Sequence, residues 1–181
     1  MKRACLIIIT LFTTIVCNAQ KYFTRSGVTE FKASEKAFEP VEAINKTTTA
    51  IFNINTREVV AQVFIASFEF KNALMQEHFN ENYMDSHQYP KAVFKGEVKD
   101  FSMERLTTDS SFYLDGILTI RGIEKRIQTK VFIKEGNNHL FVTANFSVHP
   151  EDFDIKIPSL VREKIAKEVQ IKIKYEFIEK K

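Results

Sequence analysis

The chain has 181 residues and a formal net charge of +3, with 26 Lys and Arg against 23 Asp and Glu. This length suits one domain with a substantial core. The near-even charge balance does not predict the basic surface that nucleic-acid binding requires, so we expect no nucleic-acid partner. The unusual feature of the composition is 17 Phe residues in a chain without Trp.

The N-terminus has the three parts of a secretory signal peptide. Met1-Lys2-Arg3 is a basic head, residues 4–16 are mostly apolar, and Cys17-Asn18-Ala19 ends the segment with a small residue. A transmembrane helix needs about 20 apolar residues, and this run is shorter. The pattern therefore predicts a signal peptide over residues 1–19 and no stable membrane span.

The cysteines limit the chemistry of the exported chain. Cys5 and Cys17 are the only two in the sequence, so cleavage after Ala19 leaves a domain, residues 20–181, without cysteine. Disulfides, thiol catalysis and thiolate metal sites are then excluded. A lipoprotein with an acylated Cys17 is the minor alternative, because Val16 stands where a small residue is expected. The predicted location is periplasmic or extracellular.

Alternation of apolar and polar residues dominates the remainder and is clearest near the C-terminus, where every second residue of 169–177 is apolar. This period of two indicates half-buried antiparallel strands. Nine runs have strand character, some of which could merge: 22–33, 40–45, 48–55, 58–70, 91–101, 112–120, 124–134, 140–148 and 169–177.

The segments between the runs contain residues that tolerate positive φ. Asn55-Thr56-Arg57, Arg121-Gly122 and Gly136-Asn137-Asn138 predict tight turns, so that neighbouring strands pair as hairpins. A meander of about eight strands, each with one apolar face, must close into a barrel or stack as a sandwich. No internal repeat or second domain is evident.

Two segments have helical spacing instead. In 72–84, apolar residues such as Met75 and Phe79 recur at i and i+4, and Asn72 is available as an N-cap. In 158–166, Pro158 stands where a helix can begin. We predict two short helices, each lying on a barrel rim or over the open end of a cavity.

The strand before the first helix is apolar on both faces. Between Val59 and Phe70, one face carries Phe64 and Phe68, and the other carries Val63 and Ile65. Either a covering segment buries the outer face, or the inner face lines an apolar cavity. An eight-stranded barrel is either just filled by side chains or wide enough for one small ligand, and the pattern does not distinguish these cases.

The order and spacing of several segments resemble the YceI-like family of exported polyisoprenoid-binding proteins. The segments are "MQEHFNENYMDSHQYPKAVFKG" from Met75, "LDGILTIRGIEKRI" from Leu114 and "DFDIKIPSLVREKIAKEV" from Asp152. The resemblance covers essentially the whole mature chain. The sequence departs from the family in its opening strand, where Arg25-Ser26 stands in place of a common His-Ser pair.

This resemblance implies an all-β fold, an extended eight-stranded antiparallel lipocalin-like barrel with two short helices. It also implies non-enzymatic binding, storage or transport of a long-chain isoprenoid, isoprenoid quinone or other lipid in an elongated apolar pore, without a cofactor. Lys71 and Lys95 flank the apolar segment and could face an anionic head group, or they could be a solvated rim. The candidate pore residues are Phe64, Phe68, Phe70, Leu74, Met75, Phe79, Met84, Phe94 and Phe146.

Two other functions remain open. The segment from His149 to Asp154 contains His and three acidic residues, which could supply an acid–base pair or bind a metal in an enzyme acting on a small hydrophobic substrate. No Gly-rich phosphate loop, nucleophile elbow or HExxH motif accompanies it. A filled barrel acting as a ligand-free interaction module is the third interpretation. The sequence also leaves open whether two barrels form a homodimer.

Overall fold

The alternating segments form nine strands in a computed structural model that describes residues 20–34, 40–107 and 110–180. The predicted signal peptide lies outside the described residues. Two predicted runs, 40–45 and 48–55, merge into one strand, β2. The strands are β1 Lys21–Ser34, β2 Glu42–Asn53, β3 Glu58–Phe64, β4 Glu69–Phe70, β5 Lys91–Lys99, β6 Ser111–Ile120, β7 Ile123–Gly136, β8 His139–Val148 and β9 Ile165–Glu179.

Eight of these strands close into an antiparallel barrel, which confirms the predicted fold class. The hydrogen-bonded order is β1-β9-β8-β7-β6-β5-β3-β2, and β1 also pairs with β2. This last pairing closes the barrel, so none of the eight described barrel strands is left as an open edge. The short strand β4 is additional and pairs with the start of β2, Phe70 lying opposite Ala43.

The predicted turns have the backbone conformations that their residues allow. Arg57 and Asn138 have φ of 63° and 59°, and the two-residue link between β6 and β7 has φ of 50° at Arg121 and 75° at Gly122. Two successive positive φ values suit the right-handed twist of adjacent strands. Hairpin pairing of β6 with β7 therefore begins immediately, with Ile120 opposite Ile123.

The first predicted helix is present. Helix α1, Ala73–His78, continues as one π-helical turn, Phe79–Tyr83. The Asn72 side chain caps α1 by accepting hydrogen bonds from the backbone N–H groups of Leu74 and Met75, at 2.9 and 3.3 Å. Because a helix this short is marginal on its own, its position depends on packing against the barrel.

The second predicted helix, 158–166, is wrong. Only one 3-10 turn, Ser159–Val161, forms there, and β9 begins at Ile165. The apolar spacing that indicated a helix does not act as one face, because Leu160 is 90% exposed. Pairing of Ile165 with Ser34 of β1 takes the following residues into the sheet. The other 3-10 turns are Ile65–Ser67, Glu104–Thr107 and Pro150–Phe153.

One end of the barrel is filled by side chains, and we call it the filled end. Its core includes Tyr22, Phe101, Phe112 and Leu140, all buried where β1, β6 and β8 begin and just beyond the end of β5. The Phe101 ring packs edge-on against Phe112, with centroids 5.3 Å apart. Such close packing of large apolar groups supplies most of the stabilising burial.

Candidate ligand-binding cavity

On β7 and β9, the inward-facing residues become less buried with distance from the filled end. Along β9, Tyr175 and Phe177 are buried, whereas Val169 and Ile171 are only half-buried although they point the same way. On β7, Ile133 is fully buried and Ile127 is half-buried. The less buried residues lack neighbours on their inner side, so the barrel is hollow in this half.

The hollow half contains a cavity of about 500 Å³. This size lies within the usual range for small-molecule sites, which are also mainly apolar. The wall is made of inward-facing aliphatic and aromatic side chains from the barrel strands, with α1, its π-helical turn and the segment 150–165 around the mouth.

Helix α1 lies over the mouth with one face towards the cavity. Met75 and Phe79, one helical turn apart, both belong to the cavity wall, as does Met84 after the π-helical turn. The Gln76 side chain accepts a hydrogen bond from the backbone N–H of Phe70 at 3.2 Å, which ties the helix to β4. Met suits such a wall because its unbranched thioether adapts to irregular surfaces.

Four aromatic rings hold this helix against the barrel. The Phe79 ring lies 5.3 Å from Phe31, 5.8 Å from Phe68 and 5.1 Å from Phe70, measured between centroids. Phe31 also packs edge-on against Phe68 at 5.3 Å. All four residues belong to the cavity wall, so the contacts that position the helix also make the mouth apolar.

Two glycines make room for an aromatic ring in the opposite wall. Gly96 of β5 lies directly opposite Gly116 of β6, and the Phe94 ring covers both. A Cβ added at Gly116 would lie 2.7 Å from Phe94 Cζ and 2.5 Å from the Gly96 Cα. The absence of side chains at this pair therefore lets Phe94 lie against the wall and keeps the centre of the cavity open.

We accordingly expect Gly116→Ala to lower the free energy of unfolding by about 1–3 kcal/mol, the usual cost of overpacking. The displaced Phe94 ring should also reduce lipid uptake. Gly136→Ala is the matched control, because its added methyl would meet only the half-exposed Phe141 ring on the outer surface. Urea unfolding of both variants measures the difference, and equal losses would contradict this role of the glycine pair.

A polar group interrupts the apolar wall. The hydroxyl of Thr29 lies 2.8 Å from that of Thr48 and 2.9 Å from that of Tyr175, and all three residues line the cavity. Burial raises the pKa of the Tyr175 hydroxyl above its ordinary value, although the hydrogen bond with Thr29 opposes the shift. Tyr175 is therefore neutral at physiological pH.

Most of the candidate pore residues lie together in the cavity wall. Their contact with a lipid remains a prediction, but their placement around one apolar volume is what that prediction requires. The candidates in the wall are Phe68, Phe70, Met75, Phe79, Met84, Phe94 and Phe146.

Two candidates, Phe64 and Leu74, are not among the residues that line the cavity. Phe64 is 44% exposed on the outer surface, with the Lys91 ammonium 5.1 Å from its ring centroid. Val63 and Ile65 face inwards instead, and the 3-10 turn after Phe64 reverses the alternation so that Phe68 also points in. Leu74 is 57% exposed because it lies one residue, about 100° of helix rotation, from Met75.

The head-group candidates are not part of the cavity wall. Lys71 forms a salt bridge of 2.7 Å with Glu42, which raises the pKa of Lys71 through their hydrogen bond. Lys95 is exposed on β5 and lies between Val60 and Ile117 of the neighbouring strands. Both lysines fit the solvated rim better than a binding site.

The polar trio Thr29, Thr48 and Tyr175 was missed in the sequence. Tyr175 lies on the inward-facing side of β9, but a Tyr ring at such a position is also typical of an ordinary core residue. The threonines are common in strands, and their partners are distant in sequence. Two pairings bring the three hydroxyls together: β1 with β9, where Thr29 lies opposite Ile173, and the closing pairing of β1 with β2, where Gly27 lies opposite Thr48.

The segment from His149 to Asp154 has structural contacts. The Nδ1 atom of His149 lies 3.1 Å from the Lys167 carbonyl oxygen, and Asp152 forms an exposed salt bridge of 3.2 Å with Lys125. Arg121 donates a hydrogen bond of 2.7 Å to the Asp154 carbonyl. In the part of the chain that the structure describes, no group of three or more His, Cys, Asp or Glu side chains could hold a metal.

The fold and the cavity define a class of protein, the closed antiparallel barrel that is filled at one end and has an apolar cavity at the other. The chain belongs to the YceI-like domain family, whose match covers residues 21–177. None of the curated proteins matches the chain significantly.

Solved structures share this fold. A polyisoprenoid binding domain from Saccharophagus degradans, implicated in plant cell wall breakdown, has a TM-score of 0.74 at 10% identity, covering 90% of this chain and 99% of that one. BcnA of Burkholderia cenocepacia has a TM-score of 0.69 at 17% sequence identity, and the match covers 83% of this chain and 95% of BcnA. The Campylobacter jejuni YceI protein has a TM-score of 0.64 at 16% sequence identity, and the match covers 80% of this chain and 87% of that protein.

Proposed function

We propose that this protein binds and carries a hydrophobic amphiphilic lipid, a polyisoprenoid, isoprenoid quinone or similar molecule, without catalysing a reaction. The observation that carries the proposal is the apolar cavity of about 500 Å³ between the filled end and the mouth under α1. The description of the Saccharophagus degradans domain as polyisoprenoid-binding supports the class of ligand.

The chemistry of the wall favours an apolar chain over a polar substrate. No Asp or Glu is among the described residues that line the cavity. Removing a lipid chain from water contributes about 0.8 kcal/mol for each buried methylene. Several isoprene units would therefore offset the cost of ordering the chain and leave tight binding.

A carrier is also favoured over an enzyme by the contacts of the alternative site. The ring of His149 is engaged by the backbone of β9, and Asp152 is paired with Lys125 at the surface. These contacts fix the segment next to the cavity mouth, while its Phe153 is buried beneath it. The polar residues thus have a structural role that requires no substrate.

The setting of the proposed carrier is the exported compartment, periplasmic or extracellular, on the basis of the signal peptide predicted over residues 1–19. Among the described residues, no helix is long and apolar enough to cross a membrane. A lipid carrier in this compartment would hold its cargo away from water between membranes or between enzymes.

The test is to purify the protein from its native export compartment, extract it with organic solvent and analyse the extract by mass spectrometry. We expect a long-chain isoprenoid or quinone in near-stoichiometric amount. A clean extract, repeated after incubation with prenyl alcohols and quinones, would contradict the carrier proposal and favour the interaction module. Turnover lost on changing His149 or Asp152, with lipid loading intact, would favour the enzyme.

A further inference from the structure

A chain of hydrogen bonds leads from the barrel wall to the inner part of the cavity. It runs from Asn45 through Thr48 and Thr29 to Tyr175, with distances of 3.4, 2.8 and 2.9 Å. All four side chains are at least nine-tenths buried. Buried hydroxyl groups must use their protons and lone pairs on one another, so the direction of each bond can be deduced.

The first group in the chain has a fixed orientation. Asn45 Oδ1 accepts the backbone N–H of Thr47 at 2.8 Å, and Asn45 Nδ2 donates to the Phe64 carbonyl at 3.2 Å. A flipped amide would place two donors against each other and two acceptors against each other. Asn45 Oδ1 is therefore an acceptor. The Thr47 hydroxyl also donates to it at 3.2 Å, but Thr47 is exposed and its hydroxyl can bond to water instead. The Thr48 hydroxyl is buried, and it donates its proton to Asn45 Oδ1.

The remaining directions follow because a hydroxyl has only one proton. Since Thr48 has donated to Asn45, its oxygen accepts the proton of Thr29. The Thr29 oxygen in turn accepts the proton of Tyr175. Every proton in the chain points away from the cavity, and the Tyr175 oxygen presents only lone pairs to it.

The Tyr175 side chain is also held rigidly at the level where the cavity meets the filled end. It belongs both to the filled core and to the cavity wall. Its ring lies over Gly27, where an added Cβ would be only 2.6 Å from Cδ1. The Phe177 ring packs edge-on against it at 6.1 Å. The lone pairs are thus preorganised before a ligand enters.

We propose that the Tyr175 oxygen is an acceptor subsite that selects lipids whose polar end is a neutral hydrogen-bond donor, such as an alcohol, a phenol or a primary amide. The lipid enters with this polar end first and leaves its chain among the apolar residues near the mouth. Aldehydes and quinone carbonyls offer no proton to this oxygen. Carboxylates and phosphates meet no cation there, because Lys164 comes just before the start of β9, whereas Tyr175 lies towards the other end of that strand.

This inference rests on the proposed lipid-carrier function and names the polar group of its ligand. The test compares geranylgeraniol with geranylgeranial, which share a chain and differ in whether the end group can donate. Affinities are measured by displacement of the neutral fluorophore N-phenyl-1-naphthylamine. We expect the alcohol to bind about fivefold to tenfold more tightly, the effect of one additional hydrogen bond.

Two variants test the direction of the chain. Tyr175→Phe removes the acceptor, so the preference for the alcohol should disappear. Thr48→Val removes the group that accepts from Thr29, so Thr29 can donate to Tyr175 and the Tyr175 proton can turn to the cavity. In that variant we expect the aldehyde to bind severalfold more tightly than it does to the wild type. Squalene, which has no polar end, is the control, and the affinities of the alcohol and the aldehyde are expressed relative to that of squalene for each protein, so that a change in the apolar wall is not counted as a change in the subsite.

The outcomes separate this inference from the function on which it rests. Equal binding of alcohol and aldehyde to the wild type, or an alcohol preference that survives in Tyr175→Phe, would overturn the acceptor subsite and leave the carrier proposal standing. Failure of the alcohol, the aldehyde and squalene to bind at all would overturn the carrier proposal, and the subsite with it.

Discussion

Replacing Phe79 with Asp is expected to weaken binding of a long-chain prenyl lipid by about a hundredfold. The Phe79 ring lines the cavity and packs against three other Phe rings at the mouth. Aspartate removes about 1.5–3 kcal/mol of favourable apolar burial from the binding free energy and places a charge beside the lipid chain. Each loss of about 1.4 kcal/mol lowers the affinity tenfold. Fluorophore displacement or native mass spectrometry of loaded protein measures the loss.

Phe64→Asp is the matched control for this prediction. It makes the same chemical change on the outer surface, where the ring is already largely exposed. We expect wild-type lipid binding in that variant. Both variants should keep the barrel fold, because neither residue is part of the filled core. Equal loss of binding in the two, or no loss in Phe79→Asp, would argue against the cavity as the lipid site.

The strands and the barrel could be predicted because their cause is local. Alternation places one apolar face on each strand, and short turns that accept positive φ leave hairpins as the available pairing. The helix over 72–84 was predictable for a similar reason, since the Asn72 cap and the spacing of Met75 and Phe79 lie in one segment.

Two expectations differ from the structure for different reasons, one because distant pairing overrode local spacing and the other because a turn interrupts a strand. The segment 158–166 has helical periodicity, but pairing of Ile165 with Ser34 extends β9 into it. As one continuous strand, 58–70 places Phe64 on the same face as Phe68. The 3-10 turn Ile65–Ser67 interrupts that strand and changes which residues point inwards.

The extent of the filled region was not predictable either. Ile127 and Leu140 have the same apolar character in sequence, yet one faces the cavity and the other the filled core. Which half of a barrel is hollow depends on the summed volume of side chains from eight strands. The sequence of one strand does not determine this total volume.

The difference between these two residues gives the second prediction. Leu140→Ala should lower the free energy of unfolding by about 3–4 kcal/mol, because it opens a void in a closely packed core. Leu140 is 0% exposed and is not part of the cavity wall. Ile127→Ala should cost about 1 kcal/mol, because its half-buried side chain already faces an open space and no comparable new void is formed.

Lipid binding should show the opposite order. Ile127→Ala removes contacts from the cavity wall and should weaken binding of a prenyl lipid about tenfold, whereas Leu140→Ala should leave the affinity of the folded protein unchanged. Urea unfolding and fluorophore displacement on the same two preparations measure both quantities. If Ile127→Ala proved as destabilising as Leu140→Ala and neither changed lipid affinity, the barrel would be filled along its whole length. The two variants remove aliphatic side chains of the same size. A larger stability loss in Leu140→Ala together with a larger affinity loss in Ile127→Ala would therefore locate stability in the filled end and binding in the hollow end.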